Sequence, residues 1–308
     1  MQSVLRNKKF FRSMGRHALW ASRWIISRIP DPVFMVLAPF LIAMGRPFIT
    51  RKKQIVLENL HTAFDGEKTK REINGLLDKY FTNMGLGMIE LVYFLDRPSK
   101  IVEKVTIEGQ EYLDQALTKG QGVILLSAHF GDFVLMFLRL ALAGYQTNCI
   151  MRRMKDEQFE EYVTDYLDKN GIQKIYSMPY RQCVAHSLKS LRDNQILFIL
   201  LDQNYGGGGG VFVDFFGHPA ATATGPVVFS QRSGAPILPA FIVRDGAAGQ
   251  HKIMISPAVE LEAAQDEQAG MVRNVSQLTK IIEGYIRRYP CEWGGWMHRR
   301  WKSKQVFV

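Results

Sequence analysis

Cysteine is scarce in this chain: Cys149, Cys183 and Cys291 are widely spaced among 308 residues, with no CxxC pair. That excludes a disulfide framework and a zinc site and fits a reducing compartment. Acidic residues are nearly missing from positions 1–53, where Asp31 stands alone against eleven Lys and Arg. The rest of the chain is balanced, so the net charge of +10 belongs to one end. A spanning helix needs about twenty apolar residues. The run from Val33 to Met44 has only twelve, and Pro30, Pro32 and Pro39 interrupt it. No signal peptide is evident, since the basic leader is not followed by a compact apolar stretch with a cleavage site. The glycines Gly206–Gly210 carry neither the Gly-Lys-Ser/Thr of a P-loop nor a G-x-G-x-x-G opening a helix, and read as a flexible loop. No helix-turn-helix, RNP or zinc-finger pattern accompanies the basic arm, which argues against nucleic acid as partner.

What is present is globular: 47% hydrophobic and 22% charged residues. The basic end also holds Phe10, Phe11, Leu19, Trp20, Trp24, Ile25, Ile26 and Ile29. Cations, tryptophans and a short apolar helix together suit a segment lying in a membrane interface. A helical layer with a solvated basic face is the plainer alternative. Residues 1–53 are therefore expected to form a membrane-associating segment and 54–308 the main domain.

From Gln54 to Leu95 the periodicity predicts three helical segments. Tyr80, Phe81, Met84, Met88, Leu91 and Val92 line the last, as core or as the floor of an acyl-chain channel. Beyond them, short apolar strands alternate with helices. Strands are predicted over Thr106–Gly109, Val123–Ser127, Gly144–Met151, Ile172–Tyr176, Gln195–Leu201 and Lys252–Val259. Helices are predicted over Gln110–Thr118, Asp156–Lys169, Arg181–Arg192 and Gln277–Tyr289. The stretch from Val211 reads strand, turn, helix, strand. This alternation implies an α/β fold, a single domain with a mostly parallel mixed sheet flanked by helices, preceded by the amphipathic N-terminal segment.

The stretch QGVILLSAHFGDFVLMFLRL, Gln121 to Leu140, organises the rest. It reads strand, tight turn, helix, with His129 and Asp132 at the turn, where open α/β sheets gather reactive groups. The positive helix end disfavours the imidazolium and keeps His129 neutral, able to accept a proton. A nearby carboxylate would hold its tautomer. Ser127 lies close, but no G-x-S-x-G elbow surrounds it. The pair therefore suits direct deprotonation of a substrate hydroxyl, without a covalent enzyme intermediate.

The residues here resemble the lipid A late acyltransferases, of the lauroyl/myristoyl transferase type within the lysophospholipid acyltransferase superfamily. The resemblance rests on His129-Phe130-Gly131-Asp132-Phe133-Val134, on Arg152 with its following helix, and on Asp202-Gln203 at a strand end. It continues through GVFVDFFGHPAATATGP (210–226), GAPILPAF (234–241) and the ending Pro290-Cys291-Glu292-Trp293 … Trp296-Met297-His298-Arg299-Arg300-Trp301-Lys302, covering roughly residues 20–304. The family's H-x-G-x-W-E segment carries a carboxylate where this chain has Val134. Asp132 is the expected substitute, with another incoming carboxylate, or an altered or lost activity, as alternatives.

The resemblance implies an O-acyltransferase at the cytoplasmic face of the bacterial inner membrane, peripheral or monotopic. It would move an acyl group from acyl carrier protein or a CoA thioester to a lipid A precursor or related anionic glycolipid or phospholipid. No metal or resident cofactor is implied. It assigns Arg152 or Arg153 to phosphate, Asp202 and Gln203 to orienting the acceptor or supporting His129, and Thr222, Thr224 and Gly225 to a substrate-lining turn. Arg299, Arg300 and Lys302, with Trp293, Trp296 and Trp301, would hold anionic lipid or form a solvated tail. A non-catalytic lipid-binding protein on the same fold is the alternative that Val134 motivates.

Overall fold

The computed structural model describes residues 28–45, 50–246 and 249–303, together with Ala21, Trp24 and Ile25. Phe10, Phe11, Leu19, Trp20 and Ile26, on which the N-terminal expectation partly rests, lie outside the described residues.

Nearly unbroken apolar runs build the centre of the sheet. Strands β2 (Val123–Ser127), β5 (Ile196–Leu200) and β8 (Ile237–Arg244) are buried on both faces. Ile124, Leu126, Leu197, Ile199 and Phe241 enter one core, and Val123, Leu125, Ile196, Phe198 and Ile242 enter the other. Such two-sided burial is the mark of central strands under helices. With β1 (Val105–Glu108), β3 (Thr147–Met151), β4 (Ile172–Tyr176) and β9 (His251–Ile255), they form a seven-stranded sheet of order β1-β9-β8-β2-β5-β3-β4. Every pairing is parallel except β8 with β9.

Helices cover both faces. On one side lie α2 (Thr50–Ala63), the first half of α3 (Lys70–Phe94), α8 (Tyr180–Arg192), α9 (Gly225–Ser233) and α10 (Glu267–Arg288). On the other lie α1 (Asp31–Gly45), the second half of α3, α4 (Pro98–Lys104), α5 (Gln110–Leu117), α6 (Phe133–Leu142) and α7 (Glu157–Lys169).

Four expectations need correction. The two segments predicted between Lys68 and Val92 are one helix, α3, which starts at a Thr69–Glu72 capping box. It passes from one layer to the other: Ile73, Leu77 and Tyr80 enter the first core, Tyr93 and Phe94 the second. Its apolar stripe changes sides partway, and Met88 is left 73% exposed. Helix α10 starts ten residues before the predicted Gln277, where Asp266 accepts the Gln268 and Ala269 amides. The stretch from Val211 adds a strand: β6 (Val211–Phe215) and β7 (His218–Thr222) make a hairpin before α9. Its two-residue loop has positive φ at both Phe216 and Gly217, as a tight hairpin requires. Finally, Pro39 does not interrupt α1, which runs unbroken over 15 residues.

Helix α1 is apolar on both its inward and its outward face. Phe34, Ala38 and Ile42 face inward, with Phe34 stacked on Tyr93 at 4.1 Å and Ile42 against Gly85, where an added Cβ would meet it at 3.0 Å. Val33, Val36, Leu37, Phe40, Leu41 and Met44 face outward and are exposed.

Candidate active site

The turn after β2 has room for one residue type at its tightest point. Gly131 has φ +52°, and a Cβ there would lie 2.3 Å from the carbonyl oxygen of Ile242. Any side chain would push the turn off β8. The C-terminal segment then stitches the turn from outside. Gly131 N–H donates to the Glu292 carbonyl at 2.7 Å, Gly294 N–H to the His129 carbonyl at 2.6 Å, and Phe130 bridges Trp293.

Register decides which carboxylate His129 meets. Ser127 pairs with Leu200 across β2 and β5, and the Leu201 amide continues the ladder by donating to the Ser127 carbonyl at 3.0 Å. His129 and Asp202 each lie two residues beyond that pair. Their side chains meet with Nδ1 and Oδ1 2.8 Å apart. The second Asp202 oxygen accepts the Trp293 indole N–H at 2.8 Å. Asp202 and Trp293 are both buried.

Burial alone would raise the Asp202 carboxyl, but the charge and hydrogen bond of His129 and the Trp293 indole outweigh it and hold it below its ordinary value. Burial likewise pulls His129 down, and Asp202 more than reverses it, so the imidazole sits above its usual range. An ionised Asp202 accepts from Nδ1–H, which leaves the lone pair on Nε2.

Gln203 approaches the same ring, its amide nitrogen 3.2 Å from Nε2 and 3.4 Å from Nδ1. An in-plane donor to one nitrogen would lie far from the other, so these near-equal distances place the amide over the ring face. Phe133 packs edge-on against the ring, centroids 5.2 Å apart. Oriented by Asp202 and packed by both neighbours, the imidazole side chain is still 29% exposed.

Asp132 occupies a different environment from the one its sequence position suggested. It caps α6, accepting the Leu135 amide at 3.3 Å, and is buried. Its charged neighbours are His251, Glu90 and Arg244 on the far side of the turn. Burial pushes its carboxyl up to about 7. The structure thus gives His129 a partner 73 residues away in sequence. Val134, at the family's carboxylate position, is partly buried in the apolar layer.

The remaining expected residues separate. Arg152 is exposed beyond the carboxyl end of β3, on the same end of the sheet as His129. Arg153 pairs with Glu160 at 3.3 Å and lies over the Tyr176 ring. Thr222 is fully buried: its hydroxyl donates to the Ala220 carbonyl and accepts from Arg300 at 2.6 Å, so it braces that arginine and cannot line a substrate surface. Thr224 donates to the Gly209 carbonyl at 2.9 Å, tying the glycine loop to the start of α9 at Gly225.

Trp293, Trp296 and Arg300 correct the lipid-contacting expectation, because all three are buried. Arg300 donates to the Ala221 carbonyl at 2.6 Å and the Gln203 carbonyl at 3.3 Å, clamping the residue after Asp202 to β7. Burial lowers its guanidinium to about 10, with Asp202 opposing. Sequence reasoning missed these as site residues. The available signal was the tryptophan itself, since a buried indole N–H seeks an acceptor.

Chemically, the site offers an oriented base. Ser127 is completely buried within β2. Burial raises the Cys149 thiol to about 11 and also raises Cys183 and Cys291, so no thiol is activated as a nucleophile.

Comparison with known proteins agrees in scope. Residues 6–303 match the bacterial lipid A biosynthesis acyltransferase family. The lipid A biosynthesis palmitoleoyltransferase of Escherichia coli is 27% identical over 92% of this chain and 89% of its own. The lauroyltransferase of the same organism is 27% identical over 91% and 89%. The phosphatidylinositol mannoside acyltransferase of Mycobacterium tuberculosis is 25% identical over 61% and 57%. A solved 1-acyl-sn-glycerophosphate acyltransferase of Thermotoga maritima aligns over 82% of this chain and 97% of its own, at 13% identity and a TM-score of 0.39. With nearly its whole length matched, this chain belongs to the bacterial lipid A biosynthesis acyltransferases and is an acyltransferase enzyme.

Proposed function

We propose that this enzyme transfers a fatty acyl group from an acyl carrier thioester to a hydroxyl of a lipid A precursor, with His129 as general base and Asp202 as its orienting carboxylate. The observation that carries the reading is the 2.8 Å Nδ1–Asp202 contact, which directs the Nε2 lone pair away from the buried carboxylate. The acceptor hydroxyl gives its proton to Nε2 while its oxygen attacks the thioester carbon. The tetrahedral species then expels the thiolate, which takes the proton from Nε2 and leaves His129 neutral again. Asp202 stabilises the transient imidazolium and keeps Nδ1 protonated throughout. Val134 motivated a non-catalytic alternative, and a dyad that does not use position 134 removes that motive.

The donor in this reading is acyl carrier protein, with a CoA thioester as the substitute co-substrate, and no resident cofactor takes part. Arg152, exposed at the carboxyl end of the sheet, is the arginine available to a phosphate; Arg153 is engaged with Glu160. Gln203 supports the imidazole by lying on its face.

The N-terminal segment docks on the cytoplasmic face of the inner membrane. Among the described residues no helix is long and apolar enough to cross a bilayer. The outward apolar row of α1 is instead the surface that an interfacial helix presents to lipid, and its basic flanks favour anionic headgroups. Replacing Val36, Phe40 and Met44 with Ser should release the protein from anionic vesicles while leaving its thermal melt within a few degrees.

The deciding assay is acyl transfer from acyl carrier protein to a lipid A precursor, with native chain and His129→Ala compared at equal folded protein. Loss of at least about a thousandfold is expected, in line with removal of an oriented base. Activity of His129→Ala within threefold of native would refute the assignment.

A further inference from the structure

A base accounts for the proton but not for the negative charge that gathers on the former carbonyl oxygen. That charge calls for a preorganised hydrogen-bond donor, whose removal usually costs about 10²–10³ in kcat. A second imidazole lies beside that of His129. The rings of His129 and His298 are 6.3 Å apart, centre to centre, and inclined at 44°. Hydrogen bonds of about 2.8–3.0 Å from each ring reach into the gap far enough to meet two oxygens side by side on one carbon. One is the attacking oxygen on His129, the other the oxyanion on His298.

His298 is exposed, yet its backbone is held by three hydrogen bonds. Its N–H donates to the Gly295 carbonyl at 2.9 Å. Its carbonyl accepts the Arg300 amide at 3.0 Å and the side chain of Asn59 on α2 at 2.7 Å. Asn59 also holds the Trp296 carbonyl at 2.8 Å, so the segment that carries His298 is continuous with the one that carries Trp293. The two imidazoles are therefore set by one buried framework.

We propose that His298 is a catalytic hydrogen-bond donor, its neutral ring N–H meeting the oxyanion formed when the acceptor attacks the thioester. The assignment rests on the acyltransferase reading above. As the acceptor oxygen bonds to the thioester carbon, its proton passes to Nε2 of His129 and the carbonyl electron pair moves onto oxygen. His298 donates to that oxygen without giving up its proton. When the carbonyl re-forms, the carbon–sulfur bond breaks and the thiolate takes the proton from His129. Partial burial and the positive charges of His129 and Lys52 depress His298 below its ordinary value, with Asp202 opposing. A neutral ring avoids placing two imidazolium groups face to face at the moment His129 is protonated.

The test is steady-state kinetics of native chain, His298→Ala and His298→Gln, beside His129→Ala, with acyl carrier protein thioester and a lipid A precursor. Hydrolysis of dodecanoyl-coenzyme A without acceptor is followed in parallel. The expected result is a kcat about 100-fold lower for His298→Ala, with KM for both substrates within threefold and hydrolysis falling in step. His298→Gln, which keeps an N–H donor, should recover at least tenfold. A kcat for His298→Ala within threefold of native, or a loss confined to KM, overturns the assignment while leaving His129 as base. A native chain that transfers nothing, indistinguishable from His129→Ala, overturns the acyltransferase reading and this inference with it.

Discussion

The turn that follows β2 has a carboxylate on each side, and the two are driven in opposite directions. Asp202 lies on the side of the His129 ring, holding His129 and the Trp293 indole, and is kept ionised. Asp132 lies on the far side among Glu90, Arg244 and His251, and is raised to about 7. Both are buried, so burial alone does not separate them; partners do. Asp202 has a donor on each oxygen, whereas Asp132 has only the Leu135 amide on one. The two environments push the acids apart: the lowered one orients the His129 imidazole, and the raised one sits behind the turn.

Four experiments break or sharpen that contrast. Asp202→Asn should cost about 10³–10⁴ in kcat, because the amide favours the wrong imidazole tautomer. It should also move the acidic limb of the pH–rate profile downward. His129 is raised by Asp202, so native activity climbs only as pH passes above its ordinary 6.5, and loss of the charge lowers that threshold. An unmoved limb would mean the carboxylate does not set the base. On the far side, Arg244 donates to Glu90 at 2.6 Å, and Glu90 is completely buried. Arg244→Met leaves that charge only the Gly249 amide and His251, and should destabilise the fold by about 3 kcal/mol, read as the urea midpoint.

Asp132→Asn keeps a good helix cap and should leave kcat within about threefold. Its effect is on pH-dependent stability. Native Asp132 holds its proton to about 7, whereas the unfolded chain releases it near 4. The folded state thus binds more protons across that window, and native stability falls as pH rises through it. The variant should lose this decline and gain on native at pH 8 but not at pH 4, measured by denaturant titration. The smallest effect is expected of Val134→Glu. Nδ1 of His129 is already engaged, so no gain in rate should follow, and a carboxylate in the partly buried apolar layer should cost about 1 kcal/mol. A rate increase would show that position 134 still competes for the base.

This contrast also shows what the sequence could and could not disclose. The strand expectations for residues 172–176 and 123–127 coincide with β4 and β2: IQKIY starts directly after the Asn170-Gly171 helix stop, and VILLS is a short apolar run bounded by turns, which leaves few alternatives. His129 stood out for the same reason, placed at the end of such a run. Its partner did not, because sequence proximity favoured Asp132, and only the β2–β5 register brings Asp202 across. The division of α3 into two segments has a physical cause. Periodicity assumes that one face stays inward, and α3 turns its inward face from one core to the other. Arg300 and the tryptophans looked like a surface patch because a cluster of cations and aromatics carries no record of its depth; both buried carbonyls of Arg300's clamp belong to distant segments.

The closing segment has a consequence for how the enzyme comes into being. A domain folds as a unit once its parts have left the ribosome, and here Asp202 depends on Trp293, and Gln203 on Arg300. Base and carboxylate are both synthesised long before the residues that steady them. A nascent chain therefore carries His129 and Asp202 unbraced until residues 293–300 have been made and docked.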